Sequence, residues 1–245
     1  MKKRKIPFLL YFLFFITSIL SPSRAASLED LVILTEDYPP YNYRSKQGEL
    51  SGISVELLKK AFKMANATLD LNKIRVQPWP RSYRQAQAAE NFMLFSVSRV
   101  PFREKLFKWA GPIVHSEIVL YAKKSRAISI REPNDLSHYI IGGILEDIGY
   151  QLMRRMPNFN GEFILSPSPD SLIKMLASER IDLLAYDQTS AKFVFLKNNL
   201  NPQDYEQVYT LTQAPLYFAF SLNTDQQVVD KLQAAINTVK YIDSL

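Results

Sequence analysis

Cysteine is absent from the 245-residue sequence. Its absence excludes disulfides, thiolate catalysis, cysteine-ligated metal and lipid attachment to a mature N-terminal cysteine. Histidine is nearly absent too. His115 and His138 stand one in each half and in no metal-binding spacing, so each reads as a solvated or hydrogen-bonded side chain. The seven glycines form neither a P-loop nor a G-x-G-x-x-G turn, and no serine sits in a G-x-S-x-G elbow. Nucleotide, dinucleotide and serine-hydrolase readings therefore lack their motifs, and no metal or cofactor is expected. Repeats, low-complexity tracts and flexible linkers are also missing. With 47% hydrophobic and 22% charged residues, the composition is that of an ordinary globular protein.

The formal net charge is +6, but it is unevenly placed. Lys2, Lys3, Arg4, Lys5 and Arg24 fall in the first 25 residues, which hold no acid, leaving 25 basic and 24 acidic groups in the other 220. A body this close to neutral argues against a nucleic-acid partner, which needs cations clustered on the folded surface. The cations precede an apolar run from Ile6 to Leu20 and then the small residues SPSRAAS, the pattern of a secretory signal. Such a run reaches roughly 22 Å as a helix, short of the ~30 Å hydrocarbon core. The reading is a signal peptide over 1–25, cleaved after Ala25, and an exported chain stabilised by its core alone. A chain of that length buries roughly 70% of its unfolded surface, as one large domain or two small lobes.

The apolar patterning is βαβ-like twice over. Leu31 to Leu34 reads as a buried strand, followed by the turn-rich Asp37-Tyr38-Pro39-Pro40-Tyr41. A helix follows with Val55, Leu58, Phe62 and Ala65 on one face and Ser54 as its N-cap, then a strand at Ile74 to Val76. The second half offers a strand at Tyr139 to Ile144, a helix opened by Ser168-Pro169, and a strand from Ile181 ending at Tyr186-Asp187. Two extended segments, Ile118 to Lys124 and Pro215 to Leu222, read as crossings between the halves. An amphipathic helix with Val228, Leu232, Ala235, Ile236 and Val239 comes last.

The segment richest in chemistry is FSVSRVPFREKLFKWAGPI, from Phe95 to Ile113. Ser96 and Ser98 lie two apart on a strand end, hence on one face, and Arg103 follows. A planar guanidinium beside hydroxyls suits a carboxylate, because the guanidinium forks onto both oxygens while hydroxyls meet the remaining lone pairs. Arg103 also reads as one cation of a solvated Arg-Glu-Lys cluster.

In order and spacing, TEDYPPYNY, GELSGISVELLKKAF, the Pro-Trp-Pro-Arg run, SVSRVPFREKLFKWAGPI, DLSHYIIGGILEDIG, SERIDLLAYD and PLYFAFSLNT resemble the family 3 periplasmic solute-binding proteins, receptors of ABC transporters for polar amino acids. The resemblance implies an α/β fold of the periplasmic-binding-protein type II-like kind, two lobes joined by a two-strand hinge with the ligand cleft between them. It implies lobe 1 over 26–117, lobe 2 over 118–214 and a return to lobe 1 over 215–245. It implies a periplasmic, monomeric, non-enzymatic receptor that hands an amino-acid-like solute to an inner-membrane ABC permease. Carried over by position, Arg103 matches the residue that takes the ligand α-carboxylate, and Ser96 and Ser98 match residues that bind the ligand backbone. Asp187 matches the carboxylate for the α-ammonium, Tyr38 an aromatic lining the side-chain pocket, and Trp79 a second aromatic wall, with packing in the core as the alternative for Trp79. A desolvated zwitterion needs one fixed cation and one fixed anion, which agrees.

This sequence departs from the family where a Gly-Thr pair usually meets the carboxylate: it has Glu146-Asp147, and Asp147 joins the candidate ligand contacts. Glu36, Asp37 and Asp147 suggest a cationic ligand side chain, whereas Arg81 and Arg99 argue the other way. The same scaffold also serves cyclohexadienyl dehydratases, for which Glu146, Asp147 and Glu36 are available as general acids. A receptor that feeds a membrane sensor is the other alternative.

Overall fold

The computed structural model describes residues 27–157 and 159–244. The expected signal peptide lies outside the described residues. In chain order the elements are β1 (Val32–Thr35), β2 (Tyr43–Arg44), β3 (Leu50–Ser51), α1 (Ile53–Met64), β4 (Arg75–Val76), α2 (Trp79–Ala88), β5 (Phe92–Ser98), β6 (Lys108–Ala110) and β7 (His115–Lys123). They continue with β8 (Ile140–Ile144), α3 (Ile148–Arg155), β9 (Glu162–Ser166), α4 (Pro169–Ala177), β10 (Leu183–Asp187), α5 (Gln188–Lys197), β11 (Tyr205–Phe220) and α6 (Gln226–Asp243). Eight strands run β4-β1-β5-β11-β7-β10-β8-β9, with β6 beside β11, and β2 and β3 form a separate pair.

Both βαβ readings are realised as parallel pairs. β1 lies parallel to β4 and β5 in the first lobe, and β8 parallel to β9 and β10 in the second. The two lobes are joined through β7 and β11, which are antiparallel to each other. β11 pairs with β7 from Tyr205 to Pro215 and then, from Leu216 onward, with β5 and β6. At that changeover the Ile113 amide donates to the Leu216 carbonyl at 2.6 Å, and the Leu216 amide to the Val114 carbonyl at 2.7 Å. β11 begins ten residues before the expected segment at Pro215. Its early half is bonded on one side only, at the sheet edge, so it carries polar residues and lacks the apolar run that would have marked it.

Local signals decide the helix starts that they reach. Ser168 caps α4, its hydroxyl taking the Ser171 amide at 3.3 Å, with Pro169 at the first helical position as expected. In α6, Val228, Leu232, Ala235, Ile236 and Val239 are all buried against the first lobe. The start of α1 differs from the expectation: Gly52, at φ 120°, is its N-cap, not Ser54. A Cβ at Gly52 would overlap the carbonyl of Tyr41, so only glycine fits the turn that lays Pro40 and Tyr41 across the helix end. Ser54 sits one residue inside the helix and is buried.

Candidate functional site

Arg103 lies in a 3-10 turn (Pro101–Leu106) directly after β5 and is completely buried. Burial alone would force a guanidinium to find partners, since a desolvated unpaired charge costs several kcal/mol. It finds them in both lobes. Its Nε donates to Gln151 Oε1 on α3 at 2.9 Å, Nη1 to the Ser98 carbonyl at 3.4 Å and Nη2 to the Glu146 carbonyl at 3.3 Å. Its Cζ also lies 5.6 Å from the ring centre of Trp79 and 5.0 Å from that of Tyr83. Burial pulls the guanidinium pKa down, and Tyr83 and Asp147 oppose this. The solvated-cluster reading is thus excluded: it is Arg99, not Arg103, that pairs with Glu104, at 2.6 Å.

Trp79 opens α2 and is 3% exposed. It stacks on Tyr83 with centroids 5.2 Å apart, and its indole N–H donates to the Glu146 carbonyl at 2.8 Å. Trp79 thus packs by one face on Tyr83 while its indole edge reaches the second lobe. Tyr38 is likewise buried, 5.1 Å from Tyr41 and 5.9 Å edge-on to Tyr186 of the second lobe.

Asp187 ends β10 and caps α5, accepting the Ser190 amide at 2.7 Å. Its oxygens also accept the Tyr41 hydroxyl, at 3.3 Å each, from the opposite lobe. Burial raises the Asp187 carboxyl to about 6; Ser190 and Tyr41 lower it and Asp147 adds to the rise. Asp147 occupies the N-cap position of α3, and burial raises its pKa against the pull of Arg103 and of the Ile148 and Gly149 amides. Glu36, just after β1, stands well above the usual carboxylate range, through burial first, then Asp147 and Asp37.

The ladder that carries Ser96 and Ser98 is interrupted. Val97 pairs with Tyr217 but Leu94 with Ala219, so two residues of β5 stand against one of β11, and Ser96 adopts φ 65° at this bulge. The Ser96 hydroxyl turns into the first lobe, 2.7 Å from the Ser54 hydroxyl and bonded to Asn42 Oδ1. Asn42 Nδ2 in turn donates to the Glu36 carbonyl at 2.9 Å. Ser98 meets Arg103 through its carbonyl.

The structure thus brings Arg103, Ser98 and Trp79 together around the Glu146 carbonyl at the boundary between the lobes, sets Asp187 against Tyr41 and Tyr38 against Tyr186 across that boundary, and puts Asp147 at the start of α3. Ser96 supports them from behind. Gln151, Tyr41, Tyr83 and Tyr186 were not read as site residues. Gln151 lies four residues after Asp147, one helical turn, which is the only local sign that the two could work together. Beside Glu36 the cleft opens into a cavity of about 270 Å³, lined on one side by Asp37, Gln77 and Pro78 and on the other by Ser168, Asp170 and Lys197. Among the described residues, no group of three or more His, Cys, Asp or Glu is placed to hold a metal ion, and no helix is long and apolar enough to cross a membrane.

Known structures share this architecture. The sensor domain of a histidine kinase with similarity to periplasmic binding proteins superposes with a TM-score of 0.76 at 15% identity, covering 88% of this chain and 92% of that one. An ancestral arginine-binding protein bound to arginine gives 0.72 at 16%, covering 86% and 92%. A histidine-bound substrate-binding protein of an ABC uptake transporter from Streptococcus pneumoniae gives 0.73 at 18%, covering 85% and 86%. At these identities the likeness speaks for the fold. A search of curated proteins finds no match. The family model for bacterial extracellular solute-binding proteins, family 3, matches residues 31–241, and the chain belongs to that family.

Proposed function

We propose that the protein is a periplasmic receptor for an amino acid or a related small polar carboxylate, closing on it by a hinge motion and delivering it to an ABC permease. The observation that carries this reading is a fully buried arginine, Arg103, and a buried aspartate, Asp187, supplied to one cleft by opposite lobes. A zwitterion that satisfies both favours the closed form over the open one, the differential contact that ligand-driven closure needs. Arg103 takes the α-carboxylate with Ser98 beside it, Asp187 takes the α-ammonium, and Tyr38 and Trp79 bound the side chain, with Asp147 adjoining. The lobes are 26–117 with 215–245, and 118–214, in a monomer that carries no enzymatic activity and is exported by a cleaved signal over 1–25. The arginine- and histidine-bound relatives support an amino-acid ligand.

Arg103→Lys keeps the charge and loses the fork. It should weaken binding of an identified amino acid by one to two orders of magnitude, about 1.4 to 2.8 kcal/mol, in calorimetry. Affinity equal to that of the wild type would falsify the clamp. The sensor-domain likeness favours a second destination, a membrane sensor that reads the closed form. Binding of the liganded receptor to a reconstituted permease, with stimulated ATP hydrolysis, distinguishes the two. The raised carboxyl pKa values of Glu36 and Asp147 are what a dehydratase would require, so absence of turnover on prephenate and arogenate is the matching check on the receptor reading.

A further inference from the structure

Helix α3 of the second lobe turns one face to the first. Ile148, Gln151, Leu152 and Arg155 recur along it at i, i+3, i+4 and i+7, the spacing of a single helix face. Ile148 is buried in one apolar cluster with Val100, and Leu152 and Phe102 pack against that cluster. The Arg155 guanidinium carbon lies 4.1 Å from the ring centre of Phe102. On the same face, Gln151 Oε1 takes the Arg103 Nε–H at 2.9 Å, and Gln151 Nε2 donates to Glu146 Oε2 at 3.3 Å. The lobes therefore meet directly here, helix against the turn that follows β5.

This contact uses up the arginine. A guanidinium has five N–H groups. The one on Nε goes to Gln151, and Nη1 and Nη2 give one each to the carbonyls of Ser98 and Glu146. The rings of Trp79 and Tyr83 lie against the group as well. Arg103 is 0% exposed and takes no part in the wall of the cavity beside Glu36. A carboxylate can reach the guanidinium only by displacing a group that already holds it. Ser98 belongs to the arginine's own lobe, and the Glu146 carbonyl is main chain that Trp79 also holds. Gln151 is the acceptor on a rotatable side chain, and it is 7% exposed.

We propose that Gln151 is a built-in competitor for the ligand carboxylate: it latches the lobes together on Arg103, and the ligand binds by taking its place. This rests on the amino-acid receptor reading of Arg103. The exchange runs in the ligand's favour because a neutral amide offers one acceptor, whereas a carboxylate offers the fork two charged oxygens. The latch still lowers the apparent affinity, since only the unlatched fraction of the protein can accept ligand. Gln151 is thus a positioning residue, acting on the ligand through Arg103.

The test follows the latch and the affinity separately. In a Trp109→Phe background Trp79 is the sole tryptophan, and at 3% exposure it is shielded from acrylamide while the lobes are together. The protein is unfolded and refolded to strip carried solute, then quenched with no ligand added. Gln151→Met keeps the side-chain length and loses the acceptor, and it should raise the quenching constant of Trp79 at least about twofold. In calorimetry with arginine as the probe, the same variant should bind at least about threefold more tightly. The double change Gln151→Glu with Glu146→Gln exchanges amide and carboxylate, puts a charge on Arg103, and should weaken binding at least about tenfold. A residue that merely supported the site would weaken binding in both variants. Unchanged quenching in Gln151→Met, or weaker arginine binding by that variant, overturns the proposal. Failure of the wild type to bind any of the natural amino acids sinks the receptor reading instead, and the quenching, read without ligand, still decides whether Gln151 latches the lobes.

Discussion

Ser96 and Glu146 are both non-glycine residues in left-handed conformation, at φ 65° and 61°, one in each lobe at the edge of the same cleft. They are held by opposite means. Ser96 is tied within its own lobe, its hydroxyl shared with Ser54 and Asn42, and its conformation is part of a bulge fixed by pairing with β11. Glu146 is tied from the other lobe: its carbonyl receives the Trp79 indole and the Arg103 guanidinium, and within its own lobe its carboxylate meets Gln151 Nε2 at 3.3 Å. A left-handed residue costs about 1–2 kcal/mol unless its surroundings over-determine it. The first lobe therefore holds its strained residue by contacts of its own, whereas the second lobe's turn is held by contacts from the first.

That contrast breaks most severely at Ser96. Ser96→Ala leaves Asn42 and Ser54 short of a partner inside the first lobe and should destabilise the protein by about 1–3 kcal/mol in denaturant titration, equally with and without ligand. A loss seen only in the liganded protein would mean that the hydroxyl belongs to the ligand after all.

Next in size is the pH response of Asp187. Its folded-state carboxyl, at about 6, lies above its value in an unfolded chain, about 3.9. The buried charge therefore costs stability above pH 6, and that cost fades as the pH falls toward 4, where the folded form takes the proton first. The ligand-free protein should be more stable at pH 5 than at pH 7, and affinity for an ammonium-bearing ligand should drop about tenfold over the same range. Glu36 and Asp147 are raised as well and push the same way, so the comparison must be made against Asp187→Asn, which should flatten Asp187's share of both profiles.

Trp79→Phe keeps the stacking on Tyr83 but removes the indole bond to Glu146. A loss of about 0.5–1.5 kcal/mol is expected in ligand affinity rather than in stability of the open form, read by calorimetry beside thermal melting. Smallest is Glu146→Gly, which frees the turn from its left-handed penalty and should stabilise the protein by about 0.5–1 kcal/mol. A destabilised Glu146→Gly would show that the carboxylate contact to Gln151 outweighs the backbone strain.

Much of the frame was legible along the chain because it depends on neighbours three or four residues away. Ser168 and Pro169 start α4 where expected, the apolar spacing of α6 is the face it buries, and the two βαβ units produce parallel pairs. Ser54 misled because a serine before an apolar run is the usual cap, while the glycine two residues earlier was required by contact with Tyr41, which lies outside the helix. The bulge at Ser96 had no sign in the alternation of β5, because it depends on pairing with β11.

What the amino-acid order determined by itself was the set of helices and strands with strong local patterns, the family, and the identity of the opposite charges on Arg103 and Asp187. Only the tertiary structure decided which partners those charges would have: Gln151 for Arg103 and Tyr41 for Asp187. The reason is physical. Capping and periodicity act over one turn of chain, whereas burial, bulge position and charge pairing across a cleft arise only when segments a hundred or more residues apart are packed together, as Tyr41 and Asp187 are.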